Sequence, residues 1–382
     1  MNFDLTDEQS MLKDSVERLL AERYDFDKRK NYLATADGWS RDMWQAYAEM
    51  GLLGLPFAEA DGGLGGGPVD TMIIMEAIGR GLVLEPYLAT VVLGGGLLRA
   101  AGSAKQRSEL IPAILGGELL LAFAHAEAHS RYDLADVQTT AKRDGTGWIL
   151  NGKKRFVLHG DVAQKLVVSA RVAGNRRDRN GLALFLVDAD AQGVSRRGYF
   201  TQDRLRAADI ELSNVRVEAE NVLGEPGSSL PLIERVTDEA IAALCAEAVG
   251  AMARAHEITV EYLKSRKQFG VTIGSFQALQ HRAVDMLVLV EQARSMAYFA
   301  TMMASETDAE ERSKSISAAK IQIGKSAKFV GQQAVQLHGG IGVTEECHAG
   351  HYFRRLSMIE VLFGDTDHHL ANLARSTGLV SA

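Results

Sequence analysis

The chain has 382 residues, enough for about two to three domains of ordinary size. Hydrophobic residues make up 46% and charged residues 24%, a globular balance that excludes a disordered or fibrous class. The net charge of −7, with no Lys/Arg-rich run, excludes nucleic-acid or anionic-membrane binding through bulk charge, and the only cysteines, Cys245 and Cys347, exclude a disulfide framework and fit a reducing cytoplasm.

From Leu5 to about Leu115 the spacing predicts helices. Asp7 and Glu8 open an amphipathic stretch with Met11, Leu12, Val16, Leu19 and Leu20 on one face, and Trp44, Tyr47, Met50 and Leu52 repeat the pattern. The first eight residues carry no basic n-region and no apolar h-region, so no export signal is expected. The cluster Gly62, Gly63, Gly65, Gly66, Gly67 and Pro68 then breaks the chain. Pro68 takes the last position of a G-x-G-x-x-G and no strand leads in, so the cluster reads as a loop and not as a dinucleotide turn. A helix resumes through Met72, Ile73, Met75 and Ile78. The longest uncharged stretch, 86–98, is too short and too glycine-rich to span a bilayer.

From about Leu119 to Leu223 the pattern turns to strands at 119–123, 148–150, 166–170, 182–187 and 208–211, with Asp144-Gly145 and Asn151-Gly152 as tight turns. No helical pattern intervenes, which predicts an antiparallel barrel or sandwich. Arg176, Arg177 and Arg179, flanked by Gly174, Asn175, Asn180 and Gly181, read as a solvated loop. Beyond Leu230 helices return; 241–264 and 276–303 are apolar on more than one side, hence buried in a bundle or against another subunit. The expected class is α+β in the order α–β–α: a helical domain over 1–117, a β domain over 118–229 and a helical bundle over 230–382.

Other chemistries find little support. His348 and His351 form H-x-x-H and His368 adjoins His369, but neither pair has a carboxylate companion set, and His256-Glu257 lacks the second His of H-E-x-x-H, so no metal site is expected. Ser130, Ser169 and Ser195 lack a G-x-S-x-G elbow.

Two C-terminal segments carry a resemblance. Arg266-Lys-Gln268-Phe269-Gly270, followed by Phe276-Gln277 and Asp285-Met286, resembles the R-x-x-F-G…F-Q…D-M signature of acyl-CoA dehydrogenases. Gln336-Leu-His-Gly339-Gly340-Ile-Gly342, with Glu346 and Arg354 beyond, resembles the Q-x-x-G-G-x-G…R segment of the same family. Asn151-Gly152-x-Lys154-x-Phe156 is similar to N-G-x-K-x-W on the flavin-facing strand. The resemblance spans essentially the whole chain. It implies a C-terminal four-helix bundle, a tetramer, acyl-CoA as substrate, FAD as cofactor and an electron-transfer flavoprotein as acceptor. It also implies cofactor contacts from Arg266, Gln268, Phe269, Gln336, Gly339, Gly340 and Phe156. Arg266 would meet the pyrophosphate of a flavin held by a neighbouring subunit, which a guanidinium fork suits. The bland alternatives are a surface ion pair of Arg266 with Glu261 and a helix C-cap at Gly339-Gly340.

The family's base, the Glu of an E-G-T motif, is missing. Here the stretch reads Phe363-Gly364-Asp365-Thr366, and the Glu site falls on Phe363 or Gly364 depending on the anchor. Asp365 is the nearest carboxylate. Relatives with the base before R-x-x-F-G would place it at Ala240; Glu239 adjoins, but a neighbouring helical residue points about 100° away. The W-x-T/S hydroxyl is replaced in Phe156-Val157-Leu158, and E-P-x-x-G-S-D is replaced by Glu127-Ala-His-Ser130-Arg131-Tyr132-Asp133. All of these losses fall on the chain's own active site, whereas Arg266, Phe269 and Gln336 are intact. The pattern resembles the non-catalytic small subunit of heteromeric members such as pimeloyl-CoA dehydrogenase, acting on dicarboxylyl- or bulky acyl-CoA beside a Glu-bearing partner. Two alternatives stand beside it: a purely structural or regulatory subunit, and an active homotetramer using Asp365.

Overall fold

The computed structural model describes residues 5–376. The chain divides into two compact units, one formed by residues up to Asn31, Pro68–Val83 and Ile241 onward, the other by Tyr32–Gly67 and Leu84–Ala240.

The second unit is built on an eight-stranded sheet. Its strands are β1 (Leu121–Ala124), β2 (Thr140–Asp144), β3 (Gly147–Leu158), β4 (Lys165–Arg171), β5 (Leu182–Asp188), β6 (Val194–Phe200), β7 (Arg206–Val217) and β8 (Val222–Gly227). The order is β6-β7-β3-β2-β4-β5-β8, with β1 beside β4. Neighbours are antiparallel, as expected, except along one edge of β4. There β1 pairs in parallel over 165–168 and β2 touches in parallel at Thr140–Arg171, so one edge serves two strands along its length. β4 and β5 are buried almost throughout, the continuous apolar pattern of strands covered on both faces, whereas edge strand β6 alternates and carries Arg196 and Arg197. Leu150, Leu166, Val168, Phe185, Ile210 and Val215 form its core. β3 and β7 run well past the apolar runs seen in the sequence, because polar Asn151, Lys153 and Arg155 continue the ladder on exposed or half-buried positions.

Short helices complete this unit. α1 (Phe26–Leu33) straddles its start; α2 (Arg41–Glu49) is capped by the Ser40 hydroxyl, and α3 (Ala104–Leu115) by a Ser103–Gln106 capping box. The uncharged stretch folds as a π-helical turn, Leu88–Gly94, continued by α4 (Gly95–Ala101). A Cβ at Gly94 would lie 2.5 Å from Leu121 Cβ and one at Gly95 2.7 Å from Phe57, so these glycines are there for close packing.

The first unit is helical: α5 (Asp7–Arg23), α6 (Pro68–Gly81), α7 (Leu230–Ser265) from Ile241 onward, α8 (Gln277–Met303), α9 (Ala309–His338), α10 (His348–Val361) and α11 (Thr366–Ser376). Backbones of α6 and α7 touch at paired glycines: a Cβ at Gly79 would sit 1.8 Å from Glu247 O, and one at Gly250 1.8 Å from Glu76 O. Beside this contact Glu247 accepts from Arg355 Nε and Nη2 at 2.6 and 2.8 Å, a buried bidentate pair linking α7 to α10. No described helix is long and apolar enough to cross a membrane.

Candidate functional site

In the sheet unit, Lys154 of β3 is fully buried. Its Nζ donates to Glu127 Oε1 at 2.8 Å, His125 O at 3.0 Å and Ser169 Oγ at 3.1 Å. Glu127 also accepts from the backbone of Gln138 and Thr139 and from the Thr139 hydroxyl. Burial lowers the Lys154 ammonium to about 8, only partly offset by the Glu127 charge. Burial, reinforced by that ammonium, holds His125 near 3, so its ring is neutral. The loop that follows is pinned at its far end. Buried Asp136 accepts from Arg176 and Arg177, Arg171 donates to Ala135 O at 2.7 Å and Arg176 O at 2.9 Å, and Arg179 pairs with Glu234. The arginine loop between β4 and β5 is solvated, as expected, with Arg177 and Arg179 exposed, and it is also ion-paired to Asp136 and Glu234. In the 127–137 loop Arg131, at the Gly of E-P-x-x-G-S-D, adopts φ 46, a left-handed conformation that glycine takes without strain.

Phe156 also has positive φ, 53. The β3–β7 register steps from Lys154↔Ile210 to Val157↔Ala208, leaving Arg155 and Phe156 opposite Asp209 alone, which is a β-bulge. Phe156 is half-buried, and Val157 and Leu158 bring no hydroxyl to this stretch.

In the helical unit, β9 (Lys267–Gln268) and β10 (Val271–Thr272) form a two-stranded hairpin whose central residues, Phe269 and Gly270, have φ 55 and 82, the signature of a type I′ turn. Asn or Gly suits such a turn; a phenyl ring 90% exposed there does nothing for the hairpin beyond an edge contact with Phe276, centroids 6.2 Å apart. Arg266 is exposed, and its guanidinium has no partner among the described residues. Glu261 pairs instead with Arg254, so the Glu261–Arg266 ion pair does not form. Gln268 is exposed and bonds back to Lys267 O. Gly339 does cap α9, with φ 65 and its N–H on Gln336 O. A Cβ at Gly339 or Gly340 would meet nothing within 4 Å, so the turn also presents open backbone to solvent.

The corner lacking the family Glu is filled. Phe363 has φ 56 and Gly364 φ 119; a Cβ at Gly364 would fall 2.5 Å from His369 Nε2. Buried Lys320 donates to Ile359 O, Glu360 O and Gly364 O at 2.7, 2.9 and 3.0 Å, placing a cation on the carbonyl end of α10. Asp365 caps α11, its Oδ1 accepting from His368 N at 2.8 Å. Glu239, in the sheet unit, is held by Arg99 at 2.7 Å and Arg235 at 3.3 Å, and Ala240 is fully buried. Both candidate carboxylates thus have structural employment. Sequence reading missed Asp209, although a charge inside the run Ala207-Ala208-Asp209-Ile210 was a visible signal.

Comparison with known proteins agrees across the length. Residues 6–118, 122–215 and 232–378 match the N-terminal, middle and C-terminal domains of acyl-CoA dehydrogenase. The probable acyl-CoA dehydrogenase fadE25 of Mycobacterium bovis is 30% identical, covering 80% of this chain and 79% of its own. Among solved structures, the steroid ACAD Tcur3481-Tcur3483 superposes with a TM-score of 0.87 at 29% identity over 98% of both chains. The FAD complex of PigA superposes at 0.91 and 26%, covering 99% of this chain and all of the other. The chain belongs to the acyl-CoA dehydrogenase family of FAD-dependent oxidoreductases.

Proposed function

We propose that this chain is the supporting subunit of a heteromeric acyl-CoA dehydrogenase, completing the flavin site of a partner that carries the catalytic Glu. The observation that carries the reading is the corner at 363–365: the two positions on which the family Glu would fall are Phe363 and Gly364, which cannot take a proton, and the adjacent carboxylate, Asp365, caps α11 through Oδ1. Bound FAD supplies the acceptor for the β-hydride of the acyl thioester. A carboxylate must take the α-proton. This chain offers the groups that suit a neighbour's cofactor: the free Arg266 guanidinium for pyrophosphate, the exposed Phe269 ring, Gln268, and Gln336 with the open Gly339-Gly340 backbone. Its similarity to the steroid ACAD Tcur3481-Tcur3483, whose name joins two components, favours a heteromer and a bulky or dicarboxylic acyl chain, in the manner of the small subunit of pimeloyl-CoA dehydrogenase. Two free thiols support a cytoplasmic setting, and an electron-transfer flavoprotein is the acceptor this reading expects.

The test is flavin absorbance per polypeptide, alone and with a Glu-bearing partner, followed by anaerobic bleaching with dicarboxylyl- and steroid-type acyl-CoAs. Flavin that stays oxidised until the partner is added is the expected result. Stoichiometric flavin that bleaches in the isolated chain would overturn the reading.

A further inference from the structure

We propose that Asp209 is a positioning residue that builds the β3 bulge and thereby aims Phe156. The inference rests on the placement of Phe156 beside a flavin in this chain's own site, which family membership implies, and not on the proposed support of a partner's flavin. Four groups converge on this carboxylate: Arg155 in close contact, Arg197 Nη2 at 2.9 Å, Tyr199 OH at 3.3 Å and the Phe156 N–H at 3.4 Å. They come from β3 on one side of Asp209 and β6 on the other, so one residue of β7 ties three strands where the ladder is broken. The bulge removes a residue from regular pairing, and the Phe156 amide that the ladder no longer uses is turned onto Asp209 Oδ1. Arg155 N–H on Ala126 O at 2.8 Å and the Tyr199 hydroxyl also support the bulge, but Asp209 is the charged acceptor at its centre, and a regular strand would turn the Phe156 ring to the other face of the sheet. Bulges of this kind re-aim side chains beside functional sites. The surrounding charges are consistent: burial alone would raise the Asp209 carboxyl, but the bonds from Arg197 and Arg155 outweigh it and hold it below the usual range.

The experiment compares the parent, Phe156→Leu, Asp209→Asn and the double variant, each titrated with FAD in the full chain, with the Glu-bearing partner present where loading needs it. The readouts are the visible flavin band, the FAD dissociation constant, the melting temperature and hydrogen exchange of the 155–157 amides. Asp209→Asn is expected to move the flavin band in the same sense as Phe156→Leu, weaken FAD by about tenfold, and add nothing further in the double variant. A lower melting temperature with a parental band, while Phe156→Leu shifts it, would leave Asp209 as a structural ion-pair hub and overturn the inference alone. A parental band in Phe156→Leu would instead remove the flavin placement on which the inference rests. Exchange reads the bulge without cofactor: Asp209→Asn should speed it, and unchanged protection at 155–157 also overturns the proposal. Should Asp209→Asn fail to fold, Arg197→Gln and Tyr199→Phe remove one contact each; a smaller shift in the same sense is expected, and none in either is a refutation.

Discussion

At the scale of single residues, the two positions at the 363–366 corner differ in whether they can take a carboxylate. Gly364 lies at φ 119 with the His369 ring where its Cβ would go, and that ring is held by Ser317 at 3.0 Å. Gly364→Glu therefore meets both backbone strain and a buried imidazole, and a loss of about 2–4 kcal/mol is expected. Denaturant melts check this; a variant with the parental midpoint and dehydrogenase activity would refute it. Phe363 already tolerates positive φ with a full side chain, so Phe363→Glu should fold near the parental midpoint and still show little turnover in the isolated chain. The same chemistry explains Lys320. Its ammonium is bound by three carbonyls, so this buried cation belongs to the frame of the corner and is no catalytic group.

At the scale of elements, the 127–137 loop and the 267–272 hairpin lead to opposite expectations. The loop is held by charge. The hydrogen bond from Arg176, with Arg177 adding and burial opposing, lowers the Asp136 carboxyl to about 2. Because the folded value lies below the unfolded one, the stabilisation is complete above the ordinary Asp range and fades as pH falls toward 2. With the two arginines partly exposed, about 1–2 kcal/mol is at stake. Melts of the parent and Asp136→Asn should differ at pH 5 and converge near pH 2; a pH-independent gap would refute the assignment. The hairpin carries a strained, exposed ring with no internal role. Phe269→Asn suits the I′ turn and should leave the isolated chain as stable or more stable, by up to about 1 kcal/mol. It should also weaken subunit assembly, read by the mass of the complex in light scattering. Parental assembly would remove Phe269 from the interface.

At the scale of the whole molecule, one helix crossing in the helical unit depends on a pair of glycines. Gly79 and Gly250 let α6 and α7 touch backbone to backbone, and Glu247–Arg355 seals the neighbouring buried site. Gly79→Ala forces these helices apart and should cost about 3 kcal/mol or more in denaturant unfolding; a parental midpoint would refute a role for the glycine contact in stability. Leaving one half of the Glu247–Arg355 pair alone, as in Glu247→Gln, should cost about 3–5 kcal/mol.

What the sequence determined by itself was set by short-range rules. Helical and strand periodicity located the α–β–α order, glycine and proline marked the 62–68 loop, and motif spacing identified the family and proposed Arg266, Phe269 and Gln336 as candidate cofactor contacts. The absence of Glu from 363–365 was equally plain, because it is a property of one local stretch. Tertiary structure decided everything that depends on which groups meet. Asp365 and Glu239 stand beside the two family base positions in the sequence, and Glu239 reads more simply as a structural helix carboxylate; which groups they meet, a helix N-terminus and two arginines, is tertiary. The Arg176–Arg179 cluster is the solvated loop its local sequence implies, but its ion partners Asp136 and Glu234 are remote in sequence. The parallel pairing of β1 on β4 and the bulge at Asp209 were out of reach for the same reason: strand partners are chosen across long separations, by hydrogen bonds and packing that no local pattern encodes.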